Sequence, residues 1–379
     1  MAEAVRVPEV SVRRAATKRE INAFIKLPFR LYAHDPNWVP PLILAERDLL
    51  DTAKNPFFRH AAMELYLAWR GGVPVGRIAA IDDDRHNETH GDNLGFFGFF
   101  EAEDAEVAGA LLEAAEEWMR GRGRGALRGP ANPSLNDIAG MLVGPFDIDP
   151  YIQTAYNPAT YPAWVEAAGY EKAKDLWTWW FSMENSVNQR AQRILKRIES
   201  RLDPKPTIRQ LSKKNFEQDA LTVLRIFSEA WANNWGFVPP TEEEFLHTAK
   251  DMKMILNFEL ALIMELEGEP IAFCLTVPDM NQVFKRMRGR LLPFGFLHLL
   301  RKSSIIDQCR LMLLGVVAEH RQKGLELALI AHSIRIVERL GWTGGECGWT
   351  LEDNDGINKA IRLVGCQRSK TYRIYEKRL

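Results

Sequence analysis

The sequence predicts a mixed α/β (α+β) protein of two domains, each with a mixed central sheet flanked by helices. Two observations support this fold class. The length of 379 residues suits two domains, and two stretches of the chain repeat the same order of predicted strands and helices. The repeated order indicates an internal duplication, although no residue-level repeat accompanies it. We expect an N-terminal domain at 1–185, a linker helix at 186–206 and a C-terminal domain at 207–379.

The composition excludes several classes of protein. Because 49 basic residues face 50 acidic ones, the formal net charge is -1, and no overall positive field would attract nucleic acid. The four cysteines form no C-x-x-C pair, which argues against a zinc site or a disulfide framework and fits a reducing cytoplasm. No apolar run is long enough to span a bilayer. We therefore expect a cytoplasmic protein, soluble or attached at a membrane surface, that holds no metal.

The first half of the chain alternates helical and strand periodicities. Thr17 and Glu20 match a capping box and predict the start of the first long helix. Trp38 lies in a proline-restricted loop and is expected to anchor it to the core. The other predicted elements are strands at 10–13, 63–69, 74–81, 95–101 and 175–183 and helices at 45–51, 107–119 and 160–169.

A loop at 128–137 is rich in short polar side chains and turn-forming residues. Loops of this composition often line a site when a sheet holds them in place. A purely structural loop built from Asx turns is the alternative. Its candidate substrate-contacting residues are Asn132, Ser134 and Asn136.

The second half is organised around residues 310–341. The stretch 310–317 is almost continuously apolar, as expected of a strand covered on both faces, and a basic turn then leads into a helix that ends near Gly341. Free backbone N–H groups at a helix N-terminus make an anion site, so we expect a phosphorylated ligand there. The other predicted elements are strands at 207–211, 259–265, 270–277, 345–351 and 371–377 and helices at 216–231, 242–254 and 356–364.

The basic turn resembles a known fingerprint. Residues 321–324, Arg-Gln-Lys-Gly, are similar to the R/Q-x-x-G-x-G/A turn of the GNAT superfamily of N-acyltransferases, whose backbone N–H groups cradle the pyrophosphate of acyl-CoA. Further segments resemble a group of bacterial tandem-GNAT proteins that includes the bacterial ceramide synthases, which acylate the amine of a sphingoid base. The resemblance implies two tandem GNAT-like domains, with acyl-CoA as co-substrate in the second. The matching segments are 35–41, 75–80, 97–101, 129–134, 352–354 and 372–377.

The chain departs from the family pattern in three places. Glu326 stands where the fingerprint has Gly or Ala, and its carboxylate suits the helix dipole but repels a diphosphate. The family's tyrosine, expected near Ile361, is missing, and Tyr372 or Tyr375 is a candidate to replace it. No Arg-x-x-Gly turn follows the strand at 95–101, so we expect the first half to have lost CoA binding.

Amide formation from a thioester needs donors for the oxyanion and a group that takes the proton of the amine. The resemblance implies that the amides of residues 315–317 are the donors, because the family's fourth strand splays there; ordinary sheet pairing is the alternative. Glu352 and Asp353 follow a strand at the edge where sites gather, with helix capping as the alternative. His320 is a candidate base or a surface histidine. The catalytic candidates are Glu352, Asp353, Tyr372 and His320, and the cofactor-binding candidates are Gly315, Val316, Val317, Arg321, Gln322, Lys323, Gly324, Leu325 and Asn354.

Residues 285–302 bear on the substrate class. They carry six basic residues and no acidic ones around an apolar centre, which is typical of a segment at a membrane interface. A core helix or a dimer contact is the alternative. The candidate substrate or membrane residues are Arg288, Arg290, Leu291, Phe294, Phe296 and Leu297.

Together these features predict a cytoplasmic GNAT acyltransferase of sphingolipid biosynthesis, peripheral on the inner face of the cytoplasmic membrane. It would join an acyl group from acyl-CoA to a lipid amine, with a sphingoid base favoured. One alternative is acetyl-CoA-dependent N-acetylation of a small soluble amine or a protein. Another, motivated by Glu326 and the missing tyrosine, is a non-catalytic protein that binds CoA or lipid.

Overall fold

The computed structural model describes residues 9–184, 196, 200 and 204–379. The chain forms two compact units, one comprising Met1–Asp175 with Tyr372–Leu379 and the other Leu176–Thr371. Both are mixed α/β, which confirms the predicted fold class. The predicted linker helix at 186–206 lies almost wholly outside the described residues.

The first unit contains a sheet of six strand positions. Its first four strands form an antiparallel meander, the fifth is parallel to the fourth, and the sixth position is filled from the C-terminal end of the chain. In sheet order the strands are β1 (Val10–Arg14), β2 (Ala61–Arg70), β3 (Val73–Asp83), β4 (Leu94–Ala102), β5 (Ala126–Gly129) and residues 375–378 of β15 (Gln367–Arg378). Three short strands lie nearby in the chain: β6 (Ala131–Asn132), β7 (Ile138–Ala139) and β8 (Met141–Gly144).

The sheet of the second unit has the same connectivity. Four antiparallel strands are again followed by a parallel fifth strand and an antiparallel sixth. In sheet order they are β10 (Thr207–Gln210), β11 (Ala261–Leu266), β12 (Glu269–Pro278), β13 (Gln308–Val316), β14 (Gly344–Leu351) and residues 176–182 of β9 (Glu171–Ser182). The repeated order of elements in the sequence thus corresponds to a repeated sheet topology.

The sixth strands differ from the prediction. The sequence predicts that 175–183 belongs to the first domain and 371–377 to the second. Instead, residues 176–182 pair with β14 in the second unit and residues 375–378 pair with β5 in the first. Nothing in the composition of either strand specifies its partner, which the backbone pairing alone reveals.

The helical periodicities and caps predict the longer helices, but not the short ones at Asp84–His90, Asn281–Met287, Phe296–Leu300 and Lys302–Ile305. The capping box of Thr17 and Glu20 is present, and a second one, Thr241 with Glu244, begins a helix of the second unit. In the first unit the α-helices are Lys18–Leu31, Ile43–Leu49, Asp84–His90, Ala105–Gly121 and Tyr161–Ala167. In the second they are Phe216–Trp231, Glu242–Met252, Asn281–Met287, Phe296–Leu300, Lys302–Ile305, Leu325–Arg339 and Asp355–Leu363.

Each unit buries one long helix against its sheet. In the first unit, helix Ala105–Gly121 contributes Val107, Leu111 and Leu112 to a core that the sheet completes. In the second, helix Leu325–Arg339 is apolar over most of its circumference. Removing such apolar surface from water is the main stabilising term of each fold.

In the first unit, a segment of the chain itself covers the far end of β4. The parallel pairing of β4 with β5 ends at Phe96 and Arg128. Beyond that point, the Asn132 Oδ1 atom accepts a hydrogen bond from the Phe99 amide at 2.5 Å. The contact is close because Gly98 has no side chain: a Cβ there would lie 1.8 Å from the carbonyl oxygen of Ala131. The loop predicted at 128–137 therefore fills the edge of the fourth strand.

This close approach predicts opposite effects for two glycine substitutions in the same unit. Gly98→Ala should destabilise the protein by about 1–3 kcal/mol, because backbone must move away from the new methyl group. Gly109→Ala, in helix Ala105–Gly121 with no atom within 4 Å of the new Cβ, should stabilise it by about 0.5–1 kcal/mol. Urea unfolding of both variants measures the difference. Equal stabilities of the two variants would show that the loop does not pack closely against Gly98 of β4.

Candidate active site

Strands β13 and β14 diverge in the second unit. Their parallel pairing runs from Gln308 with Gly344 to Leu311 with Cys347 and then stops. The remainder of β13, as far as Val316, pairs only with β12 among the described residues. The end of β14 instead pairs with β9, through Thr350 and Leu351. The result is a splay, defined here as the opening between residues 312–316 of β13 and residues 348–351 of β14.

Buried charges hold the point where the splay begins. The guanidinium of Arg310 donates to the carbonyl oxygen of Gly348 from Nε at 3.2 Å and from Nη2 at 2.9 Å. Beside it, Lys370 Nζ donates to Glu346 Oε2 at 3.1 Å, and both side chains are fully buried. Thr178 Oγ1 donates to the same oxygen at 3.1 Å. Breaking such a buried pair strands a charge, so the cluster resists rearrangement.

Sequence reasoning missed this cluster. The signal was present, since Glu346 is the one acidic residue in the strand Gly344–Leu351, whose other members are small or apolar. Acidic side chains are rarely buried without a partner. The partner, Lys370, lies 24 positions further along the chain and has no local feature that distinguishes it from a surface lysine.

The splay exposes particular amides of β13. The Val317 N–H is not among them, because it donates to the Ile271 carbonyl oxygen at 3.0 Å. Backbone groups alternate sides along a strand, so the amides of Leu314 and Val316 point away from β12, toward the splay. The Leu314 carbonyl oxygen is on that side, where it accepts from Trp231 Nε1 at 3.1 Å. Of the three predicted donors at 315–317, only the Val316 amide faces the splay. The Leu314 amide, which is not among the predicted donors, faces it as well.

The turn after β13 leaves a helix N-terminus open. Gly324 adopts a left-handed conformation with φ 79°, and no side chain caps helix Leu325–Arg339. For the N–H groups of residues 322–327 the structure records no acceptor within the described part of the chain. These amides and the positive end of the helix dipole together form an anion site.

The basic side chains of the turn have different roles, one structural and one electrostatic. Arg321 Nη2 donates to the Ala230 carbonyl oxygen at 2.7 Å, which ties the turn to the C-terminal end of helix Phe216–Trp231. Lys323 is exposed, and its Nζ lies 3.0 Å from Nδ1 of His320. Arg321 therefore positions the turn, and Lys323 is the cation beside the open amides.

The first unit closes the corresponding helix start. Asp104 caps helix Ala105–Gly121 by accepting from the Val107 amide at 3.0 Å. Its other oxygen accepts from Arg70 Nη1 at 2.6 Å. This hydrogen bond from Arg70 holds the pKa of the Asp104 carboxyl below its usual value, so the cap remains ionised near neutral pH. A carboxylate already occupies the place that an anionic ligand would need.

The candidate site residues that follow β14 differ in burial and in hydrogen bonding. Asn354 caps helix Asp355–Leu363 by accepting from the Ile357 amide at 3.4 Å. Glu352 is half-buried and Asp353 exposed, both directly after β14 at the open end of the splay. Tyr372 is buried in β15 and belongs to the first unit, whereas the other catalytic candidates belong to the second.

The polar loop of the first unit has internal partners. Asn132 binds the Phe99 amide, Ser134 Oγ donates to Asp137 Oδ2 at 2.6 Å, and the Asn136 amide donates to Ser134 Oγ at 3.1 Å. These bonds are those of the alternative, structural loop. All four cysteines are buried, and burial raises the pKa of Cys274 to about 11, so its thiol stays protonated.

Comparison with solved structures defines the class of protein. The chain matches "Tandem GNAT protein from the clavulanic acid biosynthesis pathway (without AcCoA)" with TM-score 0.56 and 12% identity over 98% of each chain. It matches a GCN5-related N-acetyltransferase from Sphaerobacter thermophilus with TM-score 0.56 and 14% identity, over 98% of this chain and 96% of that one. The fold is that of a tandem GNAT protein.

Sequence similarity identifies the family. The chain is 37% identical to "Bacterial ceramide synthase" of Caulobacter vibrioides over 98% of both chains. It is 33% identical to "Protein YghO" of Escherichia coli, over 97% of this chain and 95% of that one. No protein-family model matches the chain. The protein belongs to the bacterial ceramide synthase family and is a GNAT-family acyltransferase, a fold that implies use of acyl-CoA.

The open turn predicts how charge changes should alter affinity for CoA. Lys323→Glu should weaken binding about tenfold or more, because a cation next to the anion site becomes an anion. Glu326→Gln should strengthen it, because a half-buried carboxylate in the first helical turn becomes neutral. Calorimetric titration with CoA measures both variants.

A matched control is Lys54→Glu in the first unit, which makes the same change in net charge on an exposed lysine paired with Asp51. Its affinity for CoA should equal that of the unchanged protein. Equal weakening by Lys323→Glu and Lys54→Glu would show that the turn at 322–327 is not the phosphate site.

Proposed function

We propose that the protein transfers a long-chain acyl group from acyl-CoA to the amine of a sphingoid base and so forms a ceramide-type amide. One observation carries this proposal: the splay lies on β13 and the open anion turn follows the same strand, in a chain 37% identical to "Bacterial ceramide synthase". One strand thus offers a phosphate site and, next to it, unpaired backbone donors.

The pyrophosphate of acyl-CoA would occupy the turn, held by the amides of residues 322–327 and by Lys323. The thioester would then lie along the exposed edge of β13. About 17 Å separates Leu311 from Val316 along an extended strand, which gives the edge room for an extended ligand. Leu314 and Val316 supply the N–H groups on that edge.

In the reaction, the neutral amine nitrogen attacks the thioester carbonyl carbon. As the C–N bond forms, the carbonyl oxygen becomes negatively charged and the Val316 amide donates to it. The C–S bond then breaks, CoA leaves as the thiolate, and the nitrogen loses one proton. We assign this proton to Glu352, which is half-buried at the open end of the splay. Asp353 is exposed and Asn354 serves as the helix cap.

The side chains around the splay favour a long acyl chain over acetyl. Met312 and Leu314 are both partly exposed on β13. The indole rings of Trp231 and Trp349 lie 6.1 Å apart, and both are half-buried. Aromatic and aliphatic groups of this kind gain free energy when they cover a hydrocarbon chain.

The first unit would not bind acyl-CoA. Asn132 takes the amide of its fourth strand, and Asp104 occupies its helix N-terminus. Both features of the second unit's site are therefore absent from the described residues of the first. We propose that this unit serves as a scaffold.

The lipid substrate places the enzyme at the inner face of the cytoplasmic membrane in this proposal. Among the described residues, no helix combines the length and the apolar character needed to cross a bilayer. A peripheral enzyme would meet a sphingoid base at the membrane surface and acyl-CoA from the aqueous phase.

Purified protein should form the amide of sphinganine with palmitoyl-CoA but much less with acetyl-CoA, because only the longer chain covers the apolar side chains of the splay. Mass spectrometry of the products measures this. Ready transfer of acetyl without long-chain amide would favour the small-amine acetyltransferase instead. CoA binding without transfer to any amine would favour a binding protein.

Glu352→Gln should lower kcat for this transfer by about 100-fold or more, because it removes the proton acceptor and keeps the side-chain volume. Asp353→Asn, its immediate neighbour, is the matched control and should retain activity near that of the unchanged protein. The affinity for CoA should be the same in both. Full activity of Glu352→Gln would assign the proton to another group.

A further inference from the structure

The connection between β12 and β13 presents an unusual apolar surface. Ten large apolar side chains are exposed among the described residues, and five of them lie between positions 292 and 300. Leu292, Phe294 and Leu300 are exposed by 70%, 73% and 74%. We call the five the apolar tip: Leu292, Phe294, Phe296, Leu297 and Leu300. Met254, also 73% exposed, lies beside it, since Lys302 Nζ donates to the Met254 carbonyl oxygen at 3.2 Å.

The apolar tip is a folded feature. At its base, Gln282 Nε2 donates to Asp307 Oδ1 at 2.6 Å, and the Asp307 amide donates back to Gln282 Oε1 at 3.0 Å. Helix Asn281–Met287 anchors the segment by burying Val283 and Met287. At the tip, the Phe296 amide donates to the Leu291 carbonyl oxygen at 2.8 Å. The backbone thus holds these apolar side chains outward, which excludes a core helix.

The same segment carries a strong positive charge. Between positions 280 and 306 the sequence has six basic residues and no acidic ones. Arg288, Arg290 and Arg301 are exposed, and the structure records no ion pair between any of them and a described carboxylate. Proteins bind anionic lipid through insertion of apolar groups and through electrostatic attraction of cations. This surface offers exposed apolar side chains for the first interaction and these arginines for the second.

The apolar tip and the phosphate site lie at opposite ends of β13, which is compatible with docking of the tip on a membrane. The tip precedes β13, which begins at Gln308, whereas the open turn follows its last residue, Val316. Eight strand steps separate these ends, about 27 Å at the usual rise. A bilayer at the tip would leave the phosphate turn in water and bring lipid to the opposite end of the strand.

We propose that the apolar tip and its arginines dock this protein on an anionic phospholipid bilayer, with Leu292, Phe294 and Leu300 entering the boundary between headgroups and acyl chains. A second copy of the chain is the less suitable occupant, because self-association would bring two surfaces of the same positive charge together. The proposal goes beyond the proposed reaction, since docking requires neither acyl-CoA nor an amine.

Sedimentation of the full-length protein with vesicles tests the docking without any substrate. The protein should bind vesicles of phosphatidylcholine with roughly one-third phosphatidylglycerol, because their anionic headgroups attract the arginines, and bind pure phosphatidylcholine weakly. Raising the salt should weaken the anionic binding, because salt screens the charge term. Equal binding to both vesicles, or none to either, would overturn the proposal.

Two variants separate the electrostatic contribution to vesicle binding from the apolar one. The charge variant Arg288→Glu, Arg290→Glu, Arg301→Glu should lower partitioning onto the anionic vesicles at least about 100-fold, at the usual contribution of each cation. The apolar variant Leu292→Ser, Phe294→Ser, Leu300→Ser should also lower it, with the salt dependence retained. Thermal unfolding and CoA titration check that both variants fold.

Matched controls carry the same changes elsewhere. Arg13→Glu, Lys18→Glu, Arg19→Glu makes the same change in net charge on exposed residues of the first unit, and Leu44→Ser, Val73→Ser, Ile148→Ser removes three exposed apolar groups there. Both should bind vesicles as the unchanged protein does. Equal losses in tip and control variants would overturn the proposal, as would a concentration-dependent dimer that the tip variants abolish. Vesicle binding without amide formation would contradict only the proposed reaction.

Discussion

The divergence of β13 from β14 is the constraint on which the rest of the second unit depends. Parallel strands normally satisfy each other's backbone groups, and unpaired groups on a covered edge cost free energy. Here Arg310 binds the Gly348 carbonyl oxygen, and the Glu346–Lys370 pair fills the space beside it. These buried bonds make the divergence the stable arrangement. The edge of β13 keeps donors that only water or a ligand can satisfy.

The two units provide an internal comparison, because they share one sheet topology and differ at the same two places. In the first, a loop lies against the fourth strand through Asn132, and Asp104 caps the next helix. In the second, the strand edge and the helix start are both open. One unit therefore satisfies its backbone groups internally, and the other leaves them for a ligand. Duplication would allow this, since one copy can lose a site while the other keeps it.

Local patterns predicted most elements but little of their partnership. The apolar strand at 310–317 and the capping box at Thr17 were readable because their signals lie within a few residues. The sequence places the sixth strands in the wrong sheets, because the residues of a strand do not identify its pairing partner. The buried ion pair of Glu346 with Lys370 is not predictable for the same reason, since neither residue identifies the other. The turn at 321–324 is predictable from its basic residues and the helix that follows it, yet the anchoring role of Arg321 requires coordinates.

The arrangement along β13 explains how one enzyme could serve two phases. Acyl-CoA is a hybrid ligand, with a charged nucleotide that requires water and a hydrocarbon chain that avoids it. The open turn with Lys323 lies at one end of the strand, and the connection that carries the apolar tip lies at the other. Between them, the splay offers hydrogen-bond donors beside aromatic walls. In the proposed reaction, this strand would order acyl-CoA from its charged end to its apolar end, and a tip resting on lipid would spare the acceptor amine an aqueous gap.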